Sequence, residues 1–150
     1  VALPEIVLGV ALLTLFSSVG QSLGLGTLIV GHITLAFPFV ALLVMARLQG
    51  FDPALQEAAL DLGATRWRTL WHITLPLTAP GIIAGALLAV TLSLDDFLIS
   101  FFTAGVGTTT LPVKIYSMAK FGLSPVINAL STLLLILTGV LVLAVLRVRR

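Results

Sequence analysis

Two uncharged apolar runs, residues 77–94 and 126–146, constrain what this chain can fold into. As a helix the first would extend about 27 Å, close to the roughly 30 Å hydrocarbon core of a bilayer. Only 9% of the 150 residues are charged and 59% are hydrophobic, whereas soluble domains carry about 25% charged residues. So few charges cannot cover a surface that faces water, so the bulk solvent is lipid. Two further apolar runs raise the predicted spans to four, at about 4–19, 27–46, 77–103 and 126–146. The fold class is therefore all-α, a polytopic transmembrane helical protein.

The first run is short for a span of roughly 20 residues. Pro4 and Glu5 suit a helix start: proline sacrifices only an orphan N–H there, and glutamate favours the positive end of the helix dipole. Gly20, Gly24 and Gly26 mark a turn. They do not make a phosphate loop, because the next glycine of the dinucleotide pattern falls on Ile29 and no lysine follows. His32 and Pro38 lie inside the second span, and a histidine there most simply hydrogen-bonds a neighbouring helix. Residues 32–35 and 72–75 both read HITL, but nothing around them matches, so no repeat is assigned. Cysteine is absent, which excludes a disulfide framework and a thiolate metal site. No nucleophile constellation, metal cluster or nucleotide-binding loop is present, so neither catalytic residues nor a metal site is assigned. The net charge of +2 reads as loop charge rather than as a nucleic-acid footprint.

Between the second and third spans lies a polar insert, about residues 50–76. Asp52-Pro53 reads as a cap and first helical position. A helix over about 53–62 follows, with Leu55, Ala58, Ala59 and Leu62 on one face. Gly63 suits a left-handed stop, and Thr65 caps a second short helix carrying Arg66, Trp67, Arg68, Leu70 and Trp71. Pro76 then opens the third span. Arg47, Arg66, Arg68, Arg147, Arg149 and Arg150 fall on one side of a four-span arrangement, against Lys114 and Lys120 on the other. The positive-inside rule places the insert and the C-terminus in the cytoplasm.

The insert carries Glu57, Ala58 and Ala59, then three residues, Gly63, nine residues, and Ile73, a free position, Leu75 and Pro76. This resembles the EAA signature of ABC-importer permeases, and every fixed position of that pattern is filled. The resemblance implies that the segment is a coupling helix docked in a groove of a cytosolic ATPase. Glu57, Ala58, Ala59, Leu62, Gly63, Trp67, Ile73, Leu75 and Pro76 are then its coupling residues. Exposed Leu62, Trp67 and Trp71 suit an interface, where aromatic anchors dominate. Beyond the insert, TLSLDDFLISFF and TLPVKIYSMAKFGLSPVINALSTLL look like the permeases of spermidine/putrescine importers, in particular the second permease subunit of such systems. This likeness covers nearly the whole chain and makes the first run the third of six spans. A fragment lacking the first two spans is therefore expected.

Asp95 and Asp96 lie toward the far end of the third span, where a carboxylate is costly unless paired or wet. On one continuous helix Ser93, Asp96, Ser100 and Thr103 would form a polar stripe, with Thr91 and Asp95 beside it. Carboxylates to neutralise amines, and Phe97, Phe101, Phe102 and Tyr116 for methylene and cation–π contact, are what a polyamine requires. The expected substrate path is Asp96, Asp95, Ser93, Ser100, Phe97 and Tyr116, with Asp96 favoured because it lies on the longer stripe. The alternative is that the two aspartates bond to helix ends or to Lys114 and Lys120. The resemblance implies a bacterial inner-membrane subunit bound to a sister permease, a cytosolic ATPase dimer, a periplasmic polyamine-binding protein and lipid, with no nucleic acid. It also implies that the chain binds no cofactor, ATP and Mg residing on the ATPase. Two rivals remain: a permease for iron, sulfate or thiosulfate, and a cation channel with the aspartates as a selectivity element. The channel leaves the EAA spacing unexplained.

Overall fold

The computed structural model describes residues 4–122 and 125–148, and among these every regular element is helical. The helices are α1 (Glu5–Ser18), α2 (Leu25–Gln49), α3 (Ala54–Asp61), α4 (Arg66–Thr69), α5 (Leu75–Asp95), α6 (Leu98–Thr103), α7 (Leu111–Ala119) and α8 (Pro125–Val148). A single π turn, Leu70–Thr74, joins α4 to α5. Among the described residues, three stretches are long and apolar enough to cross a membrane: Leu25–Gln49, Arg66–Asp95 and Pro125–Arg147. The apolar run at 4–19 forms the shorter helix α1. Arg149 and Arg150, counted in the charge asymmetry, lie outside the described residues.

Helix α2 is the spine. Along it Arg47 packs against Gly81, Val40 against Gly85, and His32 meets Ser93. Numbers fall on α2 as they rise on α5, so the two helices are antiparallel. Lipid tails are as apolar as leucine, so such helices associate through close packing and interhelical hydrogen bonds rather than through expulsion of water. Helix α8 packs along α5 and touches α7, while α6 lies between α1 and α2. The core is Leu12, Phe16, Leu35 and Ile99, with Leu8 and Leu23 against it. Ile99 is fully buried. Gly31 makes its seat possible, since a Cβ there would stand 2.7 Å from Ile99 Cγ2.

The structure departs from the expected helices in three places. The run at 77–103 is not one helix: it breaks at Asp96, whose backbone is extended (φ −68°, ψ 123°), and resumes as α6. The span does not begin at Pro76 either, because α4, the π turn and α5 form one uninterrupted helix from Arg66 to Asp95. Proline has no N–H for the carbonyl four residues back and clashes with it. The π turn precedes it and shifts the ladder, with the Leu75 N–H donating to Leu70 O, five residues away. His72 Nδ1 donates to Arg68 O at 3.0 Å. Finally, the loop expected over 104–125 contains α7, opened by Thr110 with Pro112 in its first turn, a start signal of the usual kind.

Candidate functional site

Two separate groups of residues carry the chemistry. The first is the insert. The Ala54 N–H donates to Asp52 Oδ1 at 2.9 Å, so the aspartate caps α3. Helix α3 ends at a turn in which Gly63 has φ +83°, a conformation that costs an L-residue roughly 1–2 kcal/mol. The Arg68 N–H then donates to Thr65 Oγ1 at 3.3 Å, capping α4. Helix α3 folds back against α4 and the π turn. Gln56 Nε2 donates to Thr74 Oγ1 at 3.3 Å, and Ala59 and Thr69 are buried. Ile73 is half-buried, whereas Glu57, Ala58, Leu75 and Pro76 are exposed. The turn presents Leu62 at 88% exposure and Trp67 at 68%. Trp67 and Trp71 meet edge to face with centroids 6.1 Å apart. Large exposed apolar groups on a polar segment are a common feature of protein-binding surfaces.

The second group surrounds the break between α5 and α6. Asp96 Oδ1 accepts the Ile99 N–H at 3.1 Å and Oδ2 accepts the Ser100 N–H at 2.8 Å. Extended backbone at the aspartate and a bond to the N–H three residues on are the marks of an N-cap. The residue is only 7% exposed. Asp95, its neighbour, is exposed. Among the described residues neither aspartate pairs with Lys114 or Lys120; the ionic contact is between Asp96 Oδ2 and His32 Nε2, at 3.6 Å. The imidazole bridges the break, with Nδ1 2.7 Å from Ser93 Oγ and Nε2 3.0 Å from Ser100 Oγ. Ser93, Asp96 and Ser100 are thus brought together, but by a bend around His32 rather than by a stripe on one helix. Thr103 bonds back to Ile99 O, and its carbonyl accepts from Thr27 Oγ1 at 2.8 Å. Thr91 likewise bonds back to Leu87 O.

Phe97 and Tyr116 meet with centroids 4.8 Å apart, and Phe97 stacks on Phe101 at 5.6 Å. Phe101 meets Phe102 edge to face, and Phe102 packs on Gly9 of α1. Two cavities flank the network. One, about 540 Å³, is largely apolar and includes His32, Ser93, Val90 and Leu111 in its wall. The other, about 220 Å³, is lined by Glu5, Asp95, Asp96 and Phe97 with Leu35, Thr91, Leu92 and Leu98. Sequence reasoning did not place Glu5, Thr27 or Gly31 at this site. Each reaches it from α1 or α2, and local spacing does not reveal which helix packs against which.

The chain is 48% identical over 141 residues to the spermidine/putrescine transport system permease protein PotC of Escherichia coli K12, covering 94% of this chain and 53% of that protein. It is 45% identical over 139 residues to PotC of Haemophilus influenzae, covering 93% and 54%. With the putrescine transport system permease protein PotI of Escherichia coli K12 it shares 41% identity over 144 residues, covering 92% and 51%. The chain therefore spans about half the length of the curated relatives it matches. The family model for the binding-protein-dependent transport system inner membrane component matches residues 1–150. On the strength of that full-length match, the filled EAA spacing and the helical fold, this chain is a multi-pass membrane protein that belongs to the family of inner membrane components of binding-protein-dependent transport systems.

Proposed function

We propose that this chain is the membrane-embedded part of a permease subunit in an ATP-driven importer of polyamines of the spermidine and putrescine class. The observation that carries the reading is the insert. All seven EAA positions are filled, the segment folds as helix, glycine turn and helix, and its second helix continues unbroken to Asp95. A helix of 30 residues is about 45 Å long, so one continuous element, with a π turn and Pro80 within it, links the exposed insert to the α5–α6 break. Leu62, Trp67 and Trp71 dock in a cytosolic ATPase, which carries the ATP and Mg and performs the hydrolysis. The chain supplies no hydrolytic group. A sister permease completes the pore, and a periplasmic binding protein delivers cargo. Closure of the ATPases moves the insert as a rigid body and switches access from one side of the inner membrane to the other. The insert and the C-terminus face the cytoplasm.

The cargo site in this reading is the cavity of Glu5, Asp95, Asp96 and Phe97. An alkyl chain bearing ammonium groups needs carboxylates at intervals and an aromatic or apolar wall. Asp95 is the carboxylate that meets cargo directly, because it is exposed at that cavity whereas Asp96 is buried and caps α6. The relatives' names support the cargo class. Reconstitution of the full subunit with its partners in liposomes tests the whole reading. ATP-dependent spermidine uptake is expected, and Gly63→Ala should reduce it at least severalfold while weakening capture of the ATPase. Uptake and ATPase capture that are indifferent to Gly63 would sink the proposal.

A further inference from the structure

Adjacent aspartates on a helix point about 100° apart, so something must decide which one is presented. In this fold the decision is made around one imidazole. Ser93 lies two residues before the Asp95–Asp96 pair and Ser100 lies four residues after it, and His32 holds both hydroxyls. The segment between the serines is therefore pinned at each end by the same side chain, from a third helix. Each serine hydroxyl serves as donor or acceptor, so both bonds form in either state of the ring, with the Asp96 carboxylate 3.6 Å from Nε2. The helix that carries the imidazole is fixed against α6 independently. Thr27 Oγ1 donates to Thr103 O, and Ile99 occupies the space over Gly31. Asp96 accepts the buried N–H groups of Ile99 and Ser100. Asp95 is left exposed.

We infer that His32 is a positioning residue for cargo recognition: by bridging Ser93 and Ser100 it sets the rotation of the α5–α6 corner, turning Asp96 inward as a cap and Asp95 outward as the carboxylate that receives an ammonium group. The inference rests on the proposed transport function for its meaning, but its geometry is testable without transport. The chain has no cysteine, so, once any cysteines elsewhere in the transporter are replaced by serine, single cysteines report accessibility. In the assembled transporter, Asp95→Cys should react with a membrane-impermeant thiol reagent, and Asp96→Cys should be protected. Adding His32→Ala should narrow that difference by about tenfold, and His32→Gln, which retains a donor and an acceptor, should restore most of it. In uptake assays His32→Ala should raise the KM for spermidine about tenfold with kcat within about twofold, and combining it with Asp95→Asn should add little more. If His32→Ala does not assemble, the double variant Ser93→Ala, Ser100→Ala replaces it with the same expected results. Unchanged cysteine reactivities in either background overturn the positioning role, as does a fall in kcat alone. Absence of uptake by the unmodified transporter would count against the transport function, while the cysteine reactivities would still decide the role of His32.

Discussion

Asp96 shows how one side chain's job is set by the backbone beside it. Its oxygens accept two N–H groups at the start of α6, and such groups are orphaned at every helix start. An asparagine keeps one acceptor for these groups and sets its NH2 against the other N–H, whereas alanine forfeits the cap at about 1 kcal/mol, and more where the freed N–H groups are buried. Asp96→Asn is therefore expected to lower the thermal midpoint of the purified subunit by a few degrees while preserving polyamine uptake. Asp96→Ala should lower that midpoint further. A large loss of uptake in Asp96→Asn at unchanged stability would instead give Asp96 the cargo role. The cap was readable in part: aspartate ahead of the apolar stretch LISFFT is a helix-start signal, and bonding to a helix end was the weighed alternative. What hid it was the apolar continuity of residues 77–103, which reads as one long helix because Leu94, Phe97 and Leu98 suit a helix interior as well as they suit a corner.

At the scale of elements, the helix from Arg66 to Asp95 is the part that, in the proposed mechanism, would convert motion of the insert into motion of the membrane region. Its weak point in a simple α-helix would be Pro76, and the π turn over Leu70–Thr74 removes the conflict. A π turn places one extra residue in the helix, which rotates everything before it by about 100° relative to an unbroken α-helix. Trp67 and Trp71 thus owe their direction to Pro76, although neither touches it in sequence. In Pro76→Ala the N–H is restored and the turn is free to relax to α geometry, swinging the tryptophans away from their partner surface. The expected outcome is uptake reduced by roughly tenfold or more with the subunit still folded, measured as transport per ATP hydrolysed in proteoliposomes. Retained coupling, together with an unchanged reactivity pattern at Trp67→Cys and Trp71→Cys, would contradict this account. The proline itself was conspicuous in the sequence, but the compensating π turn was not, since it depends on which carbonyls a folded helix can re-pair.

For the whole molecule the charge distribution and the topology agree on which ends belong together. Arg47 closes α2, Arg66 and Arg68 belong to the insert, and Arg147 lies in the last turn of α8. The contact of Tyr116 with Phe97 puts α7, which carries Lys114, near the opposite end of α5. The outer faces are apolar: only 6% of the most apolar window of α8 is buried within the chain, a liability in water and an appropriate surface for acyl chains. These features give an orientation test. Leu62→Cys, at the tip of the insert, should be labelled by an impermeant thiol reagent only from the cytoplasmic side, and Val106→Cys, fully exposed in the loop after α6, only from the outer side. Labelling of both from the same side would overturn the orientation and, with it, the docking of the insert on a cytosolic ATPase.

Composition and spacing alone determined that the chain is helical and lipid-facing, that a polar insert separates two apolar stretches, and that this insert carries the coupling signature. Those properties are local: they depend on apolar run length, on capping residues and on a glycine where the insert turns with positive φ. The tertiary structure decided what the local patterns left open. It broke the third apolar run at Asp96, set His32 across the break, opened a space at Gly31 for Ile99, and brought Glu5 of α1 to the same cavity as the aspartate pair. The physical reason is that lipid does not distinguish one apolar helix face from another. Partner choice therefore falls to a few small residues and interhelical hydrogen bonds, and these become visible only when the helices are in contact.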